Sequence, residues 1–302
     1  MKKYRIIDWH IHTCASDGIY NLSDLVTALK QRNVQSFAIT NHDTVKELEE
    51  AKKAAEQAGM YFRNGVEITT WYGSTLHLLY YDFKQEEISH LEEELRPMQE
   101  KRNEKTKGDL RKAQFNEQKW RHVNFEKIRE KYSNTAYIGK SHVARVLVSA
   151  GYFDSIKAAI EAFKQESTPD TGDNTPLLDK TIEMLKKYSG KIVLAHMPRY
   201  EWGEAMERSN VMQLKEVGLQ GIEICPKAYS KKYHASLEDM ARHIRMAEEL
   251  GLRLTFGSDF HGPDVDPDTE GALPGINLHY LADIPEIKDA GITIEMILEM
   301  LL

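Results

Sequence analysis

Seven short apolar segments alternate with amphipathic stretches along most of this chain, and polar side chains able to bind metals cluster at the segment ends. The segments run from about Tyr4 to His10, Ser36 to Thr40, Tyr61 to Glu67, Leu76 to Tyr81, Lys191 to His196, Gly221 to Cys225 and Arg253 to Ser258. Helical patterns fall between them at Leu22 to Arg32, Thr44 to Ala58, Leu177 to Tyr188 and Leu237 to Leu250. Asn21 and Ser23 are candidate caps for the first, and Gly59, Gly190 and Gly251 are stop signals for the others. Strands interleaved with helices predict an α/β fold, most economically a (β/α) barrel of seven strands. A chain of 302 residues is long enough to bury such a core. The alternation breaks between 84 and 174. The barrel is therefore expected to be discontinuous, 1–83 and 175–302, with 84–174 a helical insertion subdomain.

Charge separates these parts. The chain carries 40 basic and 47 acidic side chains, net −7. Lys101 to Lys131 alone holds 11 basic and 5 acidic residues, a local net of +6, which leaves −13 for the remainder. This Glu-, Lys- and Arg-rich stretch reads as solvated helix. The overall sign argues against non-specific binding of duplex DNA, but not against a small or single-stranded phosphorylated substrate meeting the basic stretch. No apolar run approaches the ~18 residues of a membrane span. The start, MKKYRIIDWHIHT, reads as a first strand rather than a signal peptide, since no apolar segment follows its lysines. Cys14 and Cys225 are the only cysteines, so no disulfide framework is expected and the cytoplasm is the natural compartment.

The segment ends carry the chemistry. His10 and His12 are two residues apart, so in extended chain both imidazoles point to one face. Asp17 follows in Ala15-Ser16-Asp17-Gly18, and His42 follows the second segment in Thr40-Asn41-His42-Asp43-Thr44. Glu67 ends the third segment, His77 lies in the fourth and His196 ends the fifth. Asp259 and His261 follow the last, in Gly257-Ser258-Asp259-Phe260-His261-Gly262-Pro263. Any one of these, His77 for instance, reads on its own as an ordinary core or surface residue. Gathered on one barrel face, they would repel or stay unsatisfied without cations between them. Nitrogen and oxygen donors without thiolates suit manganese, zinc or iron alike, and manganese is the expected ion. A multinuclear metal site is expected.

These motifs, taken in order, resemble the PHP (polymerase and histidinol phosphatase) superfamily: His10-Ile11-His12, the Asp17 loop, the His42 loop, Gly65-Val66-Glu67-Ile68-Thr69, Leu194-Ala195-His196-Met197-Pro198-Arg199-Tyr200 and the Asp259 loop. Within the insertion, Gly139-Lys140-Ser141-His142-Val143-Ala144-Arg145 is similar to the small stand-alone phosphoesterases of that superfamily. Characterised relatives in that subgroup act on 3′,5′-nucleoside bisphosphates and on short RNA from the 5′ end. The resemblance implies a distorted seven-stranded barrel holding two or three divalent ions. His10, His12, Glu67 and Asp259 would hold one. Glu67 as a bridge, with His77 and His196, would hold a second, and Asp17, His42 and His261 a third. Two positions depart from the usual pattern. Asn41 stands where an Asp commonly precedes the histidine, and Met197-Pro198 replaces Pro-Gly.

A phosphoesterase mechanism follows from such a site. Divalent ions bring the pKa of a bridging water toward neutrality and draw the phosphate oxygens into line. Basic groups must complete the neutralisation. Arg145, His142 and Lys140 from the insertion and Arg199 after His196 are the candidates, with His142 also a candidate acid for the leaving group. Trp71, Tyr72 and Tyr200 are candidates to stack a base, although aromatic residues there more often pack. Lys231, Lys232, Tyr233 and His234 form a small basic patch, and Cys14 reads as a passive loop thiol. The expected substrates are a phosphorylated small molecule, a nucleoside bisphosphate or short single-stranded RNA. Histidinol phosphate, another sugar phosphate or a carbon–nitrogen bond is the alternative. A non-catalytic metal-stabilised module is the third reading, and nine intact candidate ligands weigh against it.

Overall fold

The computed structural model describes residues 5–117, 120–263 and 274–302. Tyr4, the expected start of the first strand, lies outside the described residues. The barrel opens with β1 (Ile6–Asp8), α1 (Leu22–Gln31), β2 (Ser36–Ile39), α2 (Leu48–Ala58), β3 (Tyr61–Trp71) and β4 (Thr75–Tyr81). The segment expected as an insertion holds α3 (Ile88–Glu117), α4 (Phe125–Lys131), α5 (Lys140–Ser149) and α6 (Ile156–Glu166). The chain then continues with α7 (Leu178–Leu185), β5 (Lys191–Leu194), α8 (Glu204–Val217), β6 (Gly221–Ile224), α9 (Leu237–Glu249) and β7 (Arg253–Phe256). It ends with β8 (Ile276–Asn277), α10 (Leu278–Ala282), α11 (Pro285–Asp289) and α12 (Ile294–Met300).

The strands form one sheet in the order β7-β6-β5-β4-β3-β2-β1-β8. The two edges approach each other where Trp9 N–H donates to the Phe256 carbonyl and His12 N–H to that of Phe260, both at 2.9 Å. The barrel is thus nearly closed. The seven expected strands are present, with β8 as an eighth. Three pairings depart from the all-parallel expectation. β4 runs antiparallel to both β3 and β5, and β8 antiparallel to β1. Only Tyr72, Gly73 and Ser74 separate β3 from β4, too few residues for a parallel crossover, so they form a hairpin. β3 accordingly runs four residues past its expected end at Glu67.

Strands buried on both faces fill the core with Ile7, Phe37, Ile39, Ile68, Leu78, Val193, Ile222, Leu254 and their neighbours. Asn21 caps α1, its side chain accepting from Asp24 N–H. α2 starts at Leu48 rather than Thr44, because Glu92 of α3 accepts hydrogen bonds from Thr44 Oγ1 (2.9 Å) and Val45 N–H (2.8 Å) and holds them out of the helix. The basic stretch is helical as expected, but α3 is more than solvated surface. Its Leu91, Leu95 and Met98 join the barrel core, while Leu110 and Ala113 belong to a second core with Val143, Leu147 and Phe163. One helix therefore carries the insertion across the face where the candidate ligands emerge.

Candidate metal centre and substrate cleft

The register of the strands brings the nine candidate ligands to one end of the barrel, with Glu67 at the centre. Its Oε2 lies 3.2 Å from His10 Nε2, 3.1 Å from His12 Nε2 and 3.1 Å from His42 Nδ1. Its Oε1 lies 2.8 Å from His77 Nδ1 and 3.0 Å from His196 Nε2. Asp259 Oδ1 closes the second side, 3.5 Å from His10 Nε2, 3.4 Å from His12 Nε2 and 3.4 Å from His261 Nδ1. Asp17 forms the third, with Oδ1 3.3 Å from His261 Nε2 and Oδ2 4.0 Å from His42 Nε2. Among the described residues three overlapping donor groups result: His10, His12, Glu67 and Asp259; His42, Glu67 and His77; His12, Asp17, His42 and His261. His196, expected beside Glu67 and His77, belongs to none of the three, although its Nε2 meets Glu67 Oε1.

The donors suit cations. His12 Nδ1, His42 Nδ1, His196 Nδ1 and Glu67 Oε2 are buried without a hydrogen-bond partner, a costly arrangement unless something else satisfies them. His42 Nδ1 and Glu67 Oε2 are close yet not hydrogen-bonded, as donors sharing an ion would be. Protonation states follow the same logic. Burial would lower His12, but Asp259 and Glu67 raise it to about 9. Burial would likewise raise Glu67, yet the imidazoles of His42, His10 and His77 hold it well below the usual carboxylate range. Burial lowers His196 to about 3, helped by Arg199.

Backbone geometry is spent on this placement. His196 and Asp259 adopt φ of 27° and 54°, conformations unfavourable for side-chain-bearing residues and concentrated at functional sites. Gly257 faces the cluster closely. A Cβ there would lie 2.2 Å from His10 Cβ and 2.7 Å from Glu223 Oε1, so no side chain fits.

Several contributing residues escaped the sequence reading. Glu223 of β6 lies 2.7 Å from His10 Nδ1 and accepts the His196 N–H at 2.8 Å. Asp8, wholly buried, accepts from Ser258 N–H, Ser258 Oγ and Gly275 N–H, tying β1 to the Asp259 loop; burial lifts its pKa to about 6. Asp43 accepts from Thr69 N–H (2.8 Å) and from Arg102 Nε (2.6 Å), linking the His42 loop to α3. Lys227 lies 3.4 Å from Asp259 Oδ2. Asn41 takes no direct place among the donors; its side-chain Oδ1 accepts from Thr13 N–H and Ser16 Oγ and braces the Asp17 loop.

The proposed substrate-binding residues sit differently from one another. Arg199 pairs with Asp259 Oδ2, and its guanidinium lies 5.4 Å from the Tyr233 ring centroid. Arg145 donates from Nη2 to the Asp17 carbonyl. His142 is buried at the start of α5, with Nδ1 accepting from Gly139 N–H at 3.0 Å and its ring edge-on to Tyr132. Burial and Arg145 lower its pKa to about 4, so it is neutral at pH 7. Its geometry favours positioning the insertion over donating a proton. Tyr200 OH accepts the His77 N–H at 3.0 Å, and Tyr72 OH donates to Gln213, so both rings are committed to packing. Cys14 and Cys225 are unpaired, and no helix among the described residues is long and apolar enough to cross a membrane.

A cleft of about 240 Å³ opens between the donors and the insertion, lined by Asp17, His42 and His77 on one side. Lys101, Arg102, Lys105, Lys140 and Ser141 line the other.

Known proteins resemble this chain in sequence and in fold. A 3′,5′-nucleoside bisphosphate phosphatase from Chromobacterium violaceum is 27% identical over 286 residues, 93% of each chain. A 5′-3′ exoribonuclease from Haemophilus influenzae is 27% identical over 271 residues, 87% of this chain and 91% of the relative. The solved structure of an amidohydrolase from Chromobacterium violaceum with bound sulfate superposes with a TM-score of 0.73 at 27% identity, over 86% of this chain and 89% of that one. Residues 8–196 match the PHP domain. This chain belongs to the PHP domain family of metal-dependent phosphoesterases.

Proposed function

We propose that this enzyme removes phosphate from nucleotides or short oligonucleotides, with nucleoside 3′,5′-bisphosphates and short single-stranded RNA as its substrates. The carrying observation is the placement of Glu67, within 3.2 Å of imidazoles from four parts of the barrel and beside a cleft walled by lysine and arginine. The two curated relatives support the substrate class.

His10, His12, Glu67 and Asp259 would hold one ion, Glu67, His77 and His196 a second, and Asp17, His42 and His261 a third; manganese is the ion we favour, and zinc and iron suit the same donors. When bound, such ions supply an activated water near neutral pH and draw off phosphate charge. Glu223 and Asp8 hold the ligand loops in place. Arg199 and Lys227 set the charge around Asp259. Arg199, at the margin of the cluster, meets the non-bridging phosphate oxygens, while Lys101 and Arg102 attract the anion from the insertion side. The unpaired cysteines fit a reducing cytoplasm.

The likeness to the Chromobacterium amidohydrolase favours a second reading, water attack on a carbon–nitrogen bond. A neutral amide has no use for the cationic wall, which places the phosphoester first. The test is phosphate release by manganese-loaded enzyme from adenosine 3′,5′-bisphosphate, 5′-phosphorylated short RNA and histidinol phosphate side by side. Turnover of the first two above the third is expected. Preference for histidinol phosphate, or ammonia release from amide substrates alone, would overturn the assignment.

A further inference from the structure

The insertion side of the cleft holds a charge arrangement that the reaction itself does not use. Lys105 on α3 and Lys140 at the start of α5 both line the cleft, and one carboxylate serves both. Asp170 Oδ1 lies 3.4 Å from Lys105 Nζ, and Asp170 Oδ2 lies 3.8 Å from Lys140 Nζ. Asp170 belongs to the irregular segment joining α6 to α7, and that segment is pinned at both ends. At one end Thr168 N–H donates to Asp109 Oδ1 at 2.8 Å, and its carbonyl accepts from Lys105 Nζ at 2.6 Å. At the other, the Pro176 carbonyl accepts from Trp71 N–H at 2.8 Å.

Two ammonium groups facing one partly enclosed space repel unless an anion lies between them. Lys105 keeps a second carboxylate, the buried Asp109 at 3.1 Å, whereas Asp170 is the carboxylate placed against Lys140. Burial pulls the Lys140 pKa down, as does Lys105, and Asp170 acts against both. Asp170 is itself about a third exposed (34%) and its ion pairs are long, so they are weak and easily exchanged. A phosphate group carries more charge and more acceptor oxygens than a carboxylate, and it outcompetes one for paired ammonium groups.

We propose that Lys105 and Lys140 form an anion subsite apart from the metal cluster, occupied by Asp170 in the free enzyme and by a second phosphate of the substrate in the complex. This rests on the phosphoesterase reading and extends it. The subsite distinguishes a substrate carrying two phosphates from one carrying a single phosphate, and Asp170 is the counter-ion that must be displaced.

The test compares manganese-loaded wild type, Asp170→Asn and Lys140→Met on adenosine 3′,5′-bisphosphate and on 4-nitrophenyl phosphate. Asp170→Asn should lower KM for the bisphosphate about three- to tenfold, and Lys140→Met should raise it by a similar factor. KM for nitrophenyl phosphate should move by less than about twofold in Asp170→Asn, and by less than the bisphosphate value in Lys140→Met. Equal shifts on the two substrates, or a raised KM in Asp170→Asn, would overturn the subsite. Binding of inorganic pyrophosphate to chelator-treated protein, followed by calorimetry, tests it without turnover. Tighter binding in Asp170→Asn and weaker binding in Lys140→Met are expected, and binding indifferent to both substitutions refutes it. Wild-type enzyme that hydrolyses neither ester would instead sink the phosphoesterase reading, and leave the pyrophosphate result to decide the subsite.

Discussion

His10 Nδ1 lies 2.7 Å from Glu223 Oε1, both wholly buried, and this pair sets which nitrogen of His10 faces the metal cluster. With Nδ1 engaged, Nε2 is left toward Glu67, His12 and Asp259. The other Glu223 oxygen holds the His196 backbone, so one carboxylate orients candidate ligands from two strands. Glu223→Gln should weaken manganese binding about 10- to 100-fold, the usual cost of losing such a partner, with secondary structure unchanged. Calorimetric titration of metal-free protein gives the comparison; wild-type affinity in the variant would count against this role.

Gly257 makes a sharper steric case. Gly257→Ala forces a methyl into the space shared by His10 and Glu223, where the contacts would be 2.2 and 2.7 Å. Neither neighbour is free to move without leaving the cluster. The variant should fold with fewer bound manganese equivalents per chain and lose most of its activity. Full metal content by elemental analysis would show that the backbone can yield.

The role proposed for Arg199 is to meet transition-state charge, while its ion pair with Asp259 gives it a route to the metal cluster as well. Arg199→Met should lower kcat/KM by about 10²-fold, a typical loss for one such donor, while metal content stays near wild type. Steady-state kinetics paired with elemental analysis separates the two effects. Loss of metal in parallel with activity would reassign Arg199 to supporting Asp259.

His142 contributes a pH dependence of definite sign. Its pKa falls from 6.5 free to about 4 when folded, so folding favours the neutral ring. The resulting stability is complete above about 6.5 and is lost as pH falls through about 4. The shift corresponds to roughly 3 kcal/mol at most. His142→Gln should be less stable than wild type at pH 7, and the gap should narrow by pH 4.5. Urea unfolding at the two pH values measures this, and a constant gap would assign the cost to packing alone.

The strand-end donors were legible because each stands alone at a boundary, where a polar residue interrupts an apolar run. Glu223 was not, because Gly-Ile-Glu-Ile reads as one charge in a short strand. The available signal was that all four residues are too apolar in context for an exposed strand, which leaves the Glu buried and in need of a partner. Asp8 hid in the same way between Ile7 and Trp9. Arg102, Lys105 and Asp170 were visible only as surface charge, since their meeting depends on how α3 and the segment after α6 cross the barrel mouth. The antiparallel turn to β4 could have been read from the short stretch between Glu67 and Leu76, too short for a parallel crossover, whereas β8, two residues long, leaves no pattern. α8 was missed because its buried face mixes Val211 and Leu214 with Glu207 and Asn210.

The most direct test of the central claim follows phosphate release from adenosine 3′,5′-bisphosphate as chelator-treated enzyme is titrated with manganese, with His10→Ala in parallel. The account predicts no release without metal, activity rising to a plateau with two or more equivalents per chain, and loss of at least about 10³-fold in His10→Ala. Undiminished release in the presence of chelator, or wild-type activity in His10→Ala, would contradict it.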